Sequence, residues 1–256
     1  MEEKKAAFER LLNIMDDLRD KCPWDKKQTL ESLRHLTIEE TYELSDAILK
    51  GDKNELKKEL GDILLHIVFY ARIASETKDF NIADVINALC DKLIFRHPHI
   101  YGDVKVQDEN EVKQNWEKIK QKEKDGNKTV LSGVPASMPA LLKAYRIQEK
   151  ARAVGFDWEK PEQVFEKVQE EISELRLEVE KNEVEKIENE FGDVLFSLIN
   201  YARFLNVNPE DALEKTNKKF IKRFTYMEQK IKEQNKQIAD CTLAELDVYW
   251  NEAKSL

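Results

Sequence analysis

Apolar residues recur along this chain at the three-and-four spacing of amphipathic helices rather than at the alternation of strands. Phe8, Leu11, Leu12, Met15 and Leu18 form one stripe, which predicts a helix over about 6–19 that the run Cys22-Pro23-Trp24-Asp25 breaks. A second helix carries Leu30, Leu33 and Leu36 and ends near Gly51, since glycine just past a periodic run is a common stop signal. The next, over about 53–74, starts polar and becomes apolar after Asp62. An amphipathic helix over 83–96, closed by His97-Pro98-His99, precedes a charged helix over 111–124 that bears Trp116. Residues 126–139 hold two of the seven glycines and two of the six prolines, which marks a loop. After it the pattern restarts, with helices expected over 141–154, 161–180, 184–205, 209–234 and 243–254, and Gly155-Phe156-Asp157-Trp158 as a turn analogous to the one at Trp24.

This pattern, with so little Gly and Pro and 36% charged residues, predicts an all-α fold. A length of 256 residues suits two domains, so the expected organisation is two tandem helical-bundle modules at 1–125 and 141–256 joined by a linker at 126–140. The net charge of −9 argues against a general nucleic-acid binder, because a phosphate backbone meets mostly like charge. Cys22, Cys90 and Cys241 are far apart and in no paired metal spacing, so free thiols in a reducing compartment are expected. The longest apolar run, 63–71, is interrupted by His66 and is too short to span a bilayer. Met1-Glu2-Glu3-Lys4-Lys5 lacks a signal-peptide core, and the expectation is a cytoplasmic protein without a membrane partner.

The candidate chemistry lies in a five-carboxylate constellation that occurs twice. Glu39, Glu40, Glu43, Glu59 and Asp62 are matched 131 positions later by Glu170, Glu171, Glu174, Glu190 and Asp193. Between Glu39 and Arg72, 12 of 34 positions are identical to their counterparts, including Gly61 with Gly192 and Tyr70-Ala71-Arg72 with Tyr201-Ala202-Arg203. A duplicated module follows from this. On a helix, Glu171 and Glu174 share a face, as do Glu190 and Asp193. Where the first copy turns at Gly51 the second has Asn182, which also tolerates a left-handed helix end, so both copies can fold back as antiparallel pairs. Carboxylates so gathered repel one another unless a cation intervenes, and oxygen-only ligands favour Mg²⁺, with Mn²⁺ possible. The competing reading is a helical interaction or regulatory protein whose acidic clusters are solvated surface. Against it, Asp193 opens into Val194-Leu195-Phe196 and Asp62 into Ile63-Leu64-Leu65, so the acids abut core helix.

The motif E-E-x-x-E followed 16 residues later by E-x-G-D, with a later basic and aromatic stretch, resembles the MazG family of nucleoside triphosphate pyrophosphohydrolases. Gly133-Val134-Pro135 and residues 144–158 resemble the family's connector, so the likeness covers nearly the whole chain. The resemblance implies an all-α bundle that dimerises through helices and hydrolyses NTPs or dNTPs between the α and β phosphates with Mg²⁺. It assigns the metal to Glu171, Glu174, Glu190 and Asp193, with Glu40, Glu43, Glu59 and Asp62 as the corresponding set in the first copy. Glu170 is the expected catalytic group, orienting or deprotonating the attacking water.

Lys219, Lys222 and Arg223 share one helix face, and Trp250 with Lys254 repeats the i, i+4 pairing near the C-terminus. Lys219 and Arg223 resemble the family's phosphate ligands, and Trp250 is expected to stack on a base. The first copy offers Lys92, Arg96, Trp116 and Lys120, but its basic stretch is sparser and is interrupted after Arg96, so the second copy is the favoured catalytic one. His35, His66, His97 and His99 fit no zinc spacing and no ferritin-like Glu-x-x-His, and there is no P-loop.

Overall fold

The computed structural model describes residues 1–106, 108, 111–112, 115–116, 119 and 129–255, and the regular secondary structure among them is entirely helical. The chain divides into two compact units, Met1–Val106 and Gln107–Leu256. Most of the helix expected over 111–124, and the first part of the expected linker, lie outside the described residues. Residues 129–139 form successive turns, with the Val134 N–H donating to the Leu131 carbonyl at 3.0 Å and the Met138 N–H to the Pro135 carbonyl at 3.2 Å.

The first unit contains α1 (Glu2–Lys21), α2 (Leu30–Lys50), α3 (Lys53–Glu76), α4 (Ile82–Arg96) and the short α5 (Pro98–Tyr101). Helix α2 begins at a capping box in which Thr29 and Ser32 exchange side-chain-to-backbone hydrogen bonds, satisfying two otherwise orphaned donors. It ends at Gly51, whose φ of 71° is left-handed, and the Asp52 N–H reaches back to the Ala47 carbonyl at 3.2 Å. Asp52 then caps α3 by accepting from the N–H groups of Asn54 and Glu55. Two residues thus reverse the chain. Helix α1 lies against this hairpin, and Met15, Leu33, Val68 and Phe69 form its sealed core with Leu11, Leu12, Leu36 and Leu65 around them. Pro98 does not simply end α4; proline fits a first helical position, and it opens α5.

The second unit contains α6 (Ala140–Ala153), α7 (Pro161–Lys181), α8 (Val184–Phe204), α9 (Pro209–Glu233) and α10 (Leu243–Glu252). Asn182 takes the left-handed position expected of it, with φ 57°, and the α7–α8 hairpin again turns in two residues. Helix α8 packs against α7, α6 and α9. The buried apolar residues described are Val164 and Val168 from α7, Val194 and Ile199 from α8, Met227 and Ile231 from α9, and Ala253 just after α10. The two Tyr-Ala-Arg tripeptides diverge in partners. Arg72 spans Asp16, Asp20 and Glu76, whereas the buried Arg203 makes a two-pronged pair with Asp157 in the turn before α7.

Each hairpin also leaves an apolar stripe uncovered. Leu60, Leu64 and Ile67 on α3 and Phe191, Leu195 and Leu198 on α8 occupy matching positions, and their exposures run from 39% at Leu64 to 54% at Phe191. No helix among the described residues is long and apolar enough to cross a membrane.

Candidate metal centre and active site

The hairpin turns decide which carboxylates meet. In the first unit Glu40 and Glu43 come from α2 and Glu59 from α3; in the second, Glu171 and Glu174 come from α7 and Glu190 from α8. In each trio one carboxylate oxygen per residue lies within 4.8 Å of the others. Asp193 and Asp62, one turn further along, stand outside these tight trios but within electrostatic reach of Glu190 and Glu40 respectively. Glu170 is exposed and points to Lys167 rather than into the trio.

Gathering these charges has the expected cost. Partial burial, then the neighbouring Glu174, Asp193 and Glu171, push the Glu190 carboxyl above the ordinary range. Burial, Asp62, Glu43 and Glu59 do the same to Glu40. Each cluster recruits one lysine. Lys167 Nζ sits 2.7 Å from Glu171 and 2.9 Å from Glu170, while Lys58 Nζ donates to Glu59 at 3.0 Å, and both ammonium groups are pushed upward by these bonds. The two lysines are not equivalent: the counterpart of Lys167 is Leu36, and that of Lys58 is Asn189. The i, i+4 spacing of Lys167 and Glu171 is the sequence signal for this pair, and it is not part of the repeated carboxylate motif.

The donor set fits a hard divalent ion. All three ligand groups in each trio are carboxylates, and the most buried of them, Glu59, keeps its Oε2 without any hydrogen-bond partner. Histidine does not enter either trio; His66 is buried on α3, bonded through Nδ1 to the Thr37 hydroxyl at 2.7 Å.

The expected cationic residues lie on α9 and at the C-terminus. Lys219 and Lys222 are exposed and Arg223 half-buried. The Arg223 guanidinium lies over the Trp250 ring at 5.9 Å, Phe220 packs on the same ring at 5.0 Å, and Lys254 donates to Asn251. In the first unit Lys92 is exposed and Arg96 half-buried, and Lys120 lies outside the described residues.

A cavity of about 380 Å³ opens beside the second trio, with Lys167, Glu171 and Asp193 in its wall. The rest of its wall comes mainly from α8, from α6, which supplies Gln148, and from the turn that Arg203 pins through Asp157. Gln148 lies in the stretch 144–158 that resembles the family's connector, but no spacing in the sequence marks it as a site residue, and it is brought here by α6.

An all-α architecture in which one acidic two-helix hairpin is built twice defines a class of tandem helical proteins with carboxylate-lined hairpins. This chain belongs to the MazG family: the family model for the MazG nucleotide pyrophosphohydrolase domain matches residues 28–101 and again residues 159–227. Each match contains one hairpin. The chain is 46% identical over 257 residues to the nucleoside triphosphate pyrophosphohydrolase/pyrophosphatase MazG of Thermotoga maritima, covering 99% of this chain and 98% of that protein. It is 40% identical over 254 residues to the nucleoside triphosphate pyrophosphohydrolase of Escherichia coli K12, covering 96% and 97%. The crystal structure of a mazG-related protein from Thermotoga maritima aligns at 28% identity and a TM-score of 0.40, over 44% of this chain and 98% of that one.

Proposed function

We propose that the chain is a Mg²⁺-dependent nucleoside triphosphate pyrophosphohydrolase that cleaves NTPs or dNTPs between the α and β phosphates, with the α7–α8 hairpin as its working site. The observation that carries this reading is the convergence of Glu171, Glu174 and Glu190 beside a cavity large enough for part of a nucleotide. The names of the relatives from Thermotoga maritima and Escherichia coli support the same activity.

Glu171, Glu174, Glu190 and Asp193 would hold Mg²⁺, or Mn²⁺, which would supply charge neutralisation at the phosphates; Glu40, Glu43, Glu59 and Asp62 form the parallel set. Glu170, exposed next to Glu171 in the chain and hydrogen-bonded to Lys167, is the group from this chain suited to accept a proton from water. Lys167 lies between Glu170 and Glu171 and is a second source of positive charge at that edge. Lys219, Lys222, Arg223 and Lys254 add a cationic face for the phosphates, and Trp250, braced by Phe220 and Arg223, is an aromatic contact.

Incubating the protein with Mg²⁺ and a panel of NTPs and dNTPs tests the reading. The expected products are nucleoside monophosphate and pyrophosphate; diphosphate plus inorganic phosphate, or no turnover, would refute it.

The uncovered stripes on α3 and α8 support a homodimer, since a second copy offers the same self-complementary surface. Placing a charge in both stripes, as Leu64→Glu with Leu195→Glu, is expected to convert dimer to monomer. Light scattering coupled to gel filtration reads the mass directly, and an unchanged mass would place any dimer contact elsewhere.

A further inference from the structure

We propose that the cavity beside the second trio is a nucleobase-recognition site, and that Gln148 is the residue that reads the base edge. This rests on the nucleotide-hydrolase reading and deepens it. The cavity, about 380 Å³, is in the size range of small-molecule sites, and its wall includes Lys167, Glu171 and Asp193 together with the aromatic residues Phe156, Trp158 and Phe196. A triphosphate held at the carboxylates has its sugar and base leading away from them. Aromatic faces accept any base by stacking.

The polar groups are arranged to read an edge. Gln148 is buried, and its Nε2 donates to the Phe196 carbonyl at 2.8 Å, which fixes the amide orientation. Its Oε1 is left buried with no hydrogen-bond partner. A buried acceptor without a donor is an unfavourable arrangement that a ligand N–H relieves. Asn200 stands in the same wall, and its Oδ1 already accepts from Arg203 Nε at 3.1 Å and Nη2 at 2.8 Å, so what it offers a ligand is its amide N–H. An acceptor and a donor together complement the donor and acceptor on a base edge.

The duplication provides an internal comparison. Val164, Ser197 and Asn200 correspond to Leu33, His66 and Phe69 in the first unit. There Leu33 and Phe69 are sealed in the core against Met15. The second unit has smaller or polar groups where the first has bulk, so the cavity is a property of this copy and not of the hairpin as such.

The test is calorimetric titration of the full-length protein, with Mg²⁺, using α,β-methylene analogues of the nucleoside triphosphates and inorganic tripolyphosphate as a base-free probe. Gln148→Leu is expected to weaken the best-bound analogue about tenfold and to compress the differences among bases, with tripolyphosphate binding unchanged. Asn200→Phe, which imports the ring of the first unit, is expected to weaken every base-bearing analogue and again to spare tripolyphosphate. Circular dichroism identifies which variants are folded, and either one alone decides. Wild-type binding patterns retained in the folded variants would overturn the proposal, as would base discrimination lost in Trp250→Ala and kept in both cavity variants. Equal binding of analogues and tripolyphosphate by the wild type would also overturn it. Failure of the wild type to bind any of these probes would instead remove the nucleotide reading itself.

Discussion

Glu190→Gln is expected to lower pyrophosphate release by about 10²-fold or more while leaving the metal-free protein at least as stable as the wild type. The two effects have one origin. Glu190 faces Glu174, Asp193 and Glu171, and its carboxyl is held above the usual range first by partial burial and then by those neighbours. A carboxyl raised in the folded state disfavours folding once the pH exceeds its ordinary value, and the disadvantage grows until the raised value is passed. Glutamine removes that disadvantage, so with a chelator near neutral pH the variant should melt no lower than the wild type. With Mg²⁺ the order should reverse, because a ligand at a hundred times its dissociation constant stabilises by about 2.7 kcal/mol and the variant forfeits part of that. As the pH falls through the raised value, the metal-free curves should converge. A variant that melts lower under every condition would mean that Glu190 is a structural residue.

The second expectation separates the two copies. Glu174→Ala should reduce turnover by about 10²-fold or more, and Glu43→Ala should leave it nearly intact. Both residues are exposed members of equivalent trios, so a purely structural effect would treat them alike. What differs is the neighbourhood. Each trio has a lysine bonded to two carboxylates, Lys167 on α7 in the second and Lys58 on α3 in the first, but the second trio has an open cavity at its side where the first unit has a packed core of Met15, Leu33, Val68 and Phe69. Parallel loss in both variants, measured by pyrophosphate release, would establish that the first unit also works. Metal titration of Glu43→Ala then shows whether the first trio keeps a cation for structure alone.

Much of this architecture is legible in the chain because it depends on short-range rules. The helix limits follow from the three-and-four stripes, and the reversal at Asn182 follows from the few residues that accept a left-handed backbone. The trios follow from the turns, since fixing two antiparallel helices in register brings the matched carboxylates together. The parts that escape are those set by tertiary contacts. Gln148 reaches the cavity from α6, 23 positions before Glu171 and on no repeat. Trp158 is pinned by a pair between Asp157 and the distant Arg203, a partnership that the matching Arg72 does not form. At His97-Pro98-His99 the helix stop lies where the sequence puts it, after Arg96, and what the sequence pattern does not show is that the same proline opens the short helix Pro98–Tyr101.

The two-residue hairpin turns at Gly51-Asp52 and Asn182-Glu183 have a consequence for biosynthesis. All members of each carboxylate set are contained in a stretch from Glu39 to Asp62 or from Glu170 to Asp193, so closing the loop between them costs little chain entropy. Low contact order of this kind favours rapid formation. The N-terminal hairpin can therefore assemble on the ribosome before its C-terminal counterpart has been translated, and the two need not compete for each other's strands of sequence despite their common ancestry.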